Sequence, residues 1–180
     1  LLARFGRASV SLPGGCAIGA RPVNLHLEAL ERMGAQIAIT GGYVEAQVPG
    51  GRLKGMDHTF DKVSVGATEN ILTAAVLAQG TTVLRNCALE PEVTDLARLL
   101  VKMGAQIEGI GTPVLTIHGV ERLGGCTHAT IPDRIEAGTH ICAVVAAGGD
   151  VVLEAVEPED LRSLTDLLER CGAAFTIREG

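Results

Sequence analysis

Aromatic residues are scarce in this chain. Its 180 residues include no tryptophan, one tyrosine and three phenylalanines, although 47% of them are hydrophobic. Any core must therefore be built from Leu, Val, Ile and Ala. The length suits one ordinary domain or two small ones.

The cysteine pattern excludes two common structural devices. The five cysteines stand at positions 16, 87, 126, 142 and 171, and no CxxC pair occurs. An odd number of widely spaced cysteines indicates neither a zinc site nor a disulfide framework. The five histidines show no metal-ligand spacing either. We therefore expect no metal and no cofactor, and a reducing cytoplasm as the compartment.

Long hydrophobic runs and excess positive charge are also missing. A membrane-spanning helix needs many more apolar residues than the longest run here, which covers positions 141–147. The net charge of −6 argues against nucleic acid as a bulk partner. An anionic ligand would need a local group of cations and helix N-termini. Since the chain starts without Met and ends after a strand-like run, we expect a fragment of a longer protein.

One motif occurs three times along the chain. The sequence LERMGAQI at residues 30–37 returns as LVKMGAQI at 100–107 and as LERCGAAF at 168–175. Its glycines stand at positions 34, 104 and 172, so the two intervals are almost equal. A second motif, DKVSVG at 61–66, returns as DRIEAG at 133–138. The chain is therefore predicted to repeat a unit of roughly 70 residues, too long for a helical solenoid.

Hydrophobic periodicity predicts the content of each unit. Helices are expected at 23–33, 67–78, 91–103, 139–147 and 158–171, with strands at 7–12, 36–39, 43–48, 81–85 and 150–154. The helices at 67–78 and 139–147 are apolar almost all round, which is typical of buried helices. This predicts an α/β fold turned inside out, with helices inside and sheets outside.

A glycine-rich loop places one thiol outside these elements. Cys16 lies in the run PGGCAIGARP at residues 13–22, whose glycines and prolines disfavour regular structure. Arg21 precedes Pro22, which suits the first turn of a helix. The local features support two interpretations equally. One is a mobile loop that carries a nucleophile or acid beside a cation, and the other is a surface loop with an incidental free cysteine.

These features together resemble the enolpyruvyl transferases. The matching stretches are LPGGCAIGARPVNLH at 12–26, DKVSVGAT at 61–68, EPE at 90–92, GVERLGG at 119–125 and PDRIEAGT at 132–139. The resemblance is to the branch that acts on UDP-N-acetylglucosamine, and it extends over all 180 residues. It implies two inside-out α/β domains, each built from three βαβαββ units. Residues 1–131 would belong to one domain, and 132–180 would begin the remainder of the other.

The resemblance also implies a reaction. The enolpyruvyl group of phosphoenolpyruvate would pass to the 3′-hydroxyl of UDP-N-acetylglucosamine, with release of phosphate, as the first committed step of peptidoglycan synthesis. Cys16 matches the catalytic cysteine that donates a proton to C3 of phosphoenolpyruvate and that fosfomycin alkylates. A free thiol has a pKa of about 8.5, so little adjustment is needed for this task.

Binding residues follow from the same matches. The resemblance assigns substrate contacts to Arg21, Pro22, Val23, Asn24, Leu25, Lys62, Val63, Ser64, Val65, Gly66 and Arg134. Residues 22–25 would hold the uracil, and 62–66 the diphosphate. Independently, Ser64 and Gly66 open an apolar helix, so free N–H groups and the positive dipole end would face an anion. Without the resemblance, an ordinary N-cap explains the same residues.

Several alternatives stay open at this point. Arg134 could contact substrate or hold the two domains together. Asn24 stands where the family commonly has Asp, so a carboxylate-specific uracil contact is in question. The shikimate-pathway enolpyruvyl transferases share the architecture but lack the loop of Cys16. A non-catalytic scaffold of the same fold is the other alternative, and as an isolated piece the chain is expected to be inactive.

Overall fold

The computed structural model describes residues 1–12 and 23–178. It divides the chain into two compact units, one from Leu1 to His128 and the other starting at Ala129. The sequence had put the boundary slightly later, after residue 131. That the two units belong to different domains of the complete protein stays a prediction.

Helices and strands alternate through the first unit. Its elements are α1 Leu2–Phe5, β1 Arg7–Ser11, α2 Asn24–Arg32, β2 Gln36–Thr40, β3 Tyr43–Gln47, β4 Asp57–Thr59, α3 Val65–Ala75, β5 Thr81–Arg85, α4 Pro91–Lys102, β6 Gln106–Glu108 and β7 Val114–His118. The second unit contains α5 Arg134–Ala147 and α6 Pro158–Arg170. The helices and strands predicted for the first unit are confirmed, as is the hairpin around Gly41 and Gly42. Among the described residues, no helix is both long and apolar enough to cross a bilayer.

The repeat predicted from sequence is present in the sheet topology. Strands β1, β3 and β2 form an antiparallel sheet in that order, and β5, β7 and β6 form the same arrangement in the next sheet. Strand β4 joins the second sheet parallel to β5. The run from β4 to β7 is therefore one complete βαβαββ unit.

The repeated Gly motif ends three helices in the same way. Gly34, Gly104 and Gly172 follow α2, α4 and α6 with φ values of 96°, 105° and 96°. At each end, the glycine N–H and the next N–H donate to carbonyls of the last helical turn at 2.8 to 3.0 Å. This is the Schellman motif, which requires a left-handed residue and explains why glycine recurs there.

Helix α3 lies at the centre of the first unit. It contacts α1, α2, α4, β5 and β7. Its fully buried residues include Ile71 and Leu72. Burial of each such side chain contributes about 1.5–3 kcal/mol. Strands β1, β2 and β3 expose most of their residues. The inside-out arrangement is therefore confirmed for this unit.

The second unit differs from expectation in two respects. Residues 150–154, predicted as a strand, are not a strand, since no described segment pairs with them. Helix α5, predicted to start at residue 139 and to be buried, starts at Arg134, and only Ala137, Gly138 and Ile141 are buried in it. The reason is local: Asp133 caps the helix a turn early, and within its unit α5 packs against only one helix, α6.

Candidate functional site

The N-terminus of α3 is built by one capping serine. Ser64 is extended, with φ −147° and ψ 119°, and its Oγ accepts a hydrogen bond from the N–H of Ala67 at 3.2 Å. This leaves the N–H groups of Val65 and Gly66 without a hydrogen-bond partner in the part of the chain that the structure describes. Gly66 is exposed, so an anion could approach both groups from solvent.

A buried threonine holds this helix start in place. Thr68 Oγ1 donates to the carbonyl of Ser64 at 2.8 Å and accepts from the N–H of Ala88 at 3.1 Å. Its side chain is fully buried. Ala88 lies in the segment between β5 and α4. The two bonds therefore tie the capped turn to the next part of the unit, which the apolar pattern of the helix did not reveal.

Helix α2 starts beside α3. The imidazole of His26 faces Gly66, where an added Cβ would lie 3.6 Å from its Cε1. Partial burial lowers the pKa of His26 below its usual value. His26 therefore packs against the start of α3. Through this contact, the starts of the two helices predicted to hold uracil and diphosphate are neighbours in one unit.

The predicted uracil segment is described only in part. Val23 is the N-cap residue of α2, Asn24 is exposed and Leu25 packs partly against the core. The remaining predicted residues there, namely Cys16, Arg21 and Pro22, lie outside the described residues. Their roles stay predictions.

The other predicted binding residues belong to different units. Lys62 and Val63 are exposed in the segment before α3, and Val65 is half-buried at its first turn. Arg134 is the first residue of α5 and belongs to the second unit. Although DKVSVG and DRIEAG align, the N-cap is Ser64 in the first and Asp133 in the second. Lys62 therefore precedes its helix, whereas Arg134 lies within its own.

One carboxyl group near the site was not singled out from sequence. Glu69 lines an open groove of about 460 Å³, together with Gly66, Asn70 and Leu30. Partial burial raises the pKa of Glu69, and the charges of Glu92 and Glu90 raise it further. The signal in the sequence that could have found it is that Glu69 is the one charged residue of α3.

The thiols in the described residues fall into two kinds. Cys87 is almost completely buried. Burial raises the pKa of its thiol to about 11. It therefore remains a protonated core residue at neutral pH. Cys126, Cys142 and Cys171 are exposed. No group of three or more metal-ligating side chains occurs in residues 1–12 and 23–178.

The fold and the site together define a class of protein. The chain belongs to the EPSP synthase (3-phosphoshikimate 1-carboxyvinyltransferase) family, whose model matches residues 1–180. A solved enolpyruvyl transferase, NikO from Streptomyces tendae, aligns over 99% of this chain and 43% of its own with a TM-score of 0.78 and 29% identity. EPSP synthase from Acinetobacter baumannii aligns over 98% and 39%, with a TM-score of 0.66 and 29% identity.

The relatives found by sequence have names that specify one acceptor substrate. The chain is 57% identical over 177 residues to a UDP-N-acetylglucosamine 1-carboxyvinyltransferase from Psychrobacter arcticus, and 56% identical over 180 residues to one from Novosphingobium aromaticivorans. These alignments cover 98% and 100% of this chain. The chain spans 42% of the length of both relatives.

Proposed function

We propose that the complete protein transfers the enolpyruvyl group of phosphoenolpyruvate to the 3′-hydroxyl of UDP-N-acetylglucosamine and releases phosphate. The observation that carries this proposal is the identity of 56% and 57%, over nearly all of this chain, to relatives named for that reaction. The reaction would supply the first committed precursor of peptidoglycan, and the protein would act in the cytoplasm. It would thereby serve cell shape and division.

In this proposal, the start of α3 binds the diphosphate. The free N–H groups of Val65 and Gly66 and the positive end of the helix dipole support the assignment. Lys62 adds a nearby exposed cation. The first residues of α2 hold the uracil, and Asn24 contributes an amide where the family commonly has a carboxylate. Arg21 faces the phosphoenolpyruvate with its planar fork of donors.

Cys16 donates the proton in the proposed mechanism. C3 of phosphoenolpyruvate gains this proton while C2 accepts the oxygen of the 3′-hydroxyl, whose own proton passes to a base. The resulting tetrahedral intermediate then loses phosphate from C2 and a proton from C3, which restores the double bond of the enolpyruvyl group. In the complete protein, Cys16→Ser should lower phosphate release by about 100-fold or more, the usual contribution of a general acid. It should also abolish the fosfomycin adduct detected by mass spectrometry.

Another thiol provides the matched control. Cys126 is exposed and remote from the loop in sequence, so Cys126→Ser should leave both phosphate release and adduct formation unchanged. Undiminished activity in Cys16→Ser would contradict the general-acid role. An adduct on Cys126 in the wild-type protein would contradict the assignment of the reactive thiol.

The substrate assignment has one rival with support of its own. The family description and the Acinetobacter structures favour a shikimate-type acceptor, although the identity to those structures is only 29% and 28%. Phosphate release by the complete protein should depend on UDP-N-acetylglucosamine, and 3-phosphoshikimate should not replace it. Phosphate release from phosphoenolpyruvate with 3-phosphoshikimate, but not with UDP-N-acetylglucosamine, would favour the rival. No phosphate release with either acceptor would favour a non-catalytic scaffold.

The rest of the same protein is the partner that we propose for this chain. About half of the residues of α3 are buried in the first unit. In α5, which follows the second copy of the same motif, most residues are exposed. Since the relatives are more than twice as long, segments outside these 180 residues would cover that apolar surface. Residues 1–180 alone should therefore release no phosphate from the two substrates, and measurable turnover would contradict this.

A further inference from the structure

Residues 119–128, called the strap here, follow β7 without regular secondary structure. Its beginning is fastened to the end of α3. The N–H of Val120 donates to the carbonyl of Val76 at 2.8 Å, and Arg52 Nη2 donates to the carbonyl of Val120 at 2.7 Å. Although the strap contains glycines and has no regular secondary structure, these hydrogen bonds hold its beginning to the first unit.

The strap then crosses to the end of α4. Leu123 packs partly against the core of the first unit, and the N–H of Gly124 donates to the carbonyl of Met103 at 2.7 Å. Met103 is the C-cap residue of α4. The strap therefore has a second point of attachment well before the helix cap at Asp133.

His128, the last residue of the strap, is held by two side chains of α4. Its Nε2 lies 2.9 Å from Asp95 Oδ1, and its Nδ1 lies 3.1 Å from Lys102 Nζ. Because an ammonium group has only donors, Lys102 donates to Nδ1, and the Nε2–H of the neutral ring donates to Asp95. The side chains of His128 and Asp95 are only 7% and 15% exposed.

Removal of the His128 imidazole should destabilise the end of the strap. Asp95 and Lys102 lie two helical turns apart, so one imidazole bridges both on the same face of α4. Without the ring, a largely buried carboxylate loses its donor, which costs more than the loss of an exposed contact. No other described group satisfies both ends of this bridge, so the conformation of the strap end depends on it.

We propose that His128 is a positioning residue that clips the end of the strap to α4, so that the strap keeps its conformation on the first unit up to its last residue. The second unit starts at Ala129, and Asp133 already caps α5. The strap therefore moves with the first unit. This inference does not depend on the proposed enzymatic reaction.

Hydrogen exchange measured by mass spectrometry on the 180-residue chain tests the clip. The reporter is the amide of Gly124, which is hydrogen-bonded to Met103. His128→Ala and Asp95→Ala should each raise its exchange rate by about tenfold, because local opening becomes easier. Amides of β5 should keep their wild-type rates. Trypsin cleavage after Arg122, which is exposed within the strap, should accelerate to a similar extent.

A histidine outside the strap is the control. His118 lies at the end of β7 with a side chain 42% exposed, and His118→Ala should leave the exchange of Gly124 unchanged. An unchanged Gly124 amide in His128→Ala would overturn the proposal, because Leu123 and the Gly124 bond would then suffice. Equal acceleration in β5 would also overturn it, since the residue would then support the whole unit rather than the strap.

Discussion

Two buried threonines differ in how their hydroxyl groups are used. Thr68 and Thr82 are both 0% exposed. Thr68 Oγ1 makes two hydrogen bonds, whereas Thr82 Oγ1 has no partner among the described residues. Burial of an unpaired hydroxyl destabilises a fold, and a paired one supports it. The same substitution should therefore have opposite effects at the two positions.

We expect Thr82→Val to raise the free energy of unfolding by about 1 kcal/mol, because it removes the unpaired oxygen and keeps the shape. Thr68→Val should lower it by about 1–3 kcal/mol, because the N–H of Ala88 then loses its acceptor. Urea unfolding followed by circular dichroism measures both. A destabilised Thr82→Val would mean that the hydroxyl has a partner in solution, such as a bound water.

A buried histidine should make stability depend on pH. His58 is 3% exposed, and its Nδ1 lies 2.9 Å from Arg32 Nη1. Burial lowers the pKa of His58, the Arg32 charge lowers it further, and Glu28 and Asp61 oppose this. Since the folded pKa lies below the unfolded value of about 6.5, the unfolded state binds the proton first. Stability is therefore present above pH 6.5 and is lost as the pH falls through 6.5 towards the folded pKa.

The measurement is the free energy of unfolding at pH 7.5 and pH 5.5. The wild-type chain should be less stable at pH 5.5, and His58→Asn should reduce that difference. His26, whose pKa is also lowered by burial, contributes in the same direction, so the double variant with His26→Asn should depend least on pH. A pH difference that is unchanged in both variants would contradict this origin.

At the scale of elements, the structural constraint on glycine differs between helix ends and helix starts. Gly34 has φ 96° and no atom within 4 Å of an added Cβ, so its constraint comes only from the backbone. Gly66 stands in the first turn of α3, where alanine is the better helix former. An added Cβ there meets His26 at ordinary contact distance.

Gly34→Ala should therefore lower the free energy of unfolding by about 1–2 kcal/mol, the cost of a left-handed residue with a Cβ. Gly66→Ala should be neutral or stabilising by up to about 1 kcal/mol. Thermal or urea unfolding of the two variants distinguishes them. If both variants lose equal stability, the His26 contact rather than the backbone governs Gly66.

At the scale of the whole molecule, the two units have unequal cores. The core of the first unit includes α3 and the side chains of Phe60, Leu84 and Ile117, which are almost completely buried. The core of the second unit consists of Ala137, Ile141 and Leu161, with a few partly buried neighbours. Since buried apolar area provides most of the stability of a domain, the second unit should open independently and more often.

Hydrogen exchange should show this difference directly. In the isolated chain, amides of α5 and α6 should exchange at least about 100-fold faster than those in the middle of α3, which corresponds to about 2.7 kcal/mol. Equal protection in α3 and α5 would contradict it and would mean that the two units open together. The complete protein should protect α5 more strongly than this chain does, if other segments cover it.

Much of this protein could be predicted from sequence because its signals are local. Periodicity placed the ends of α2, α3, α4 and α6 to within one helical turn, and the repeated Gly motif marked three helix ends. The parallel pairing of β4 with β5 was not predicted, since so short a strand carries too weak a pattern. The early start of α5 was missed because the cap at Asp133 lies before the apolar run that marked the helix.

The candidate site shows the same division. By itself, the sequence determined the predicted helices and strands of the first unit and the capped start of α3, because these depend on residue types at short spacing. Its motifs also carried the resemblance to the family, and that resemblance made Cys16 the candidate acid. Only the tertiary structure decided that His26 lies on Gly66, that Thr68 has partners while Thr82 has none among the described residues, and that His128 bridges Asp95 and Lys102. These facts depend on contacts between residues distant along the chain, and packing in three dimensions brings those residues together.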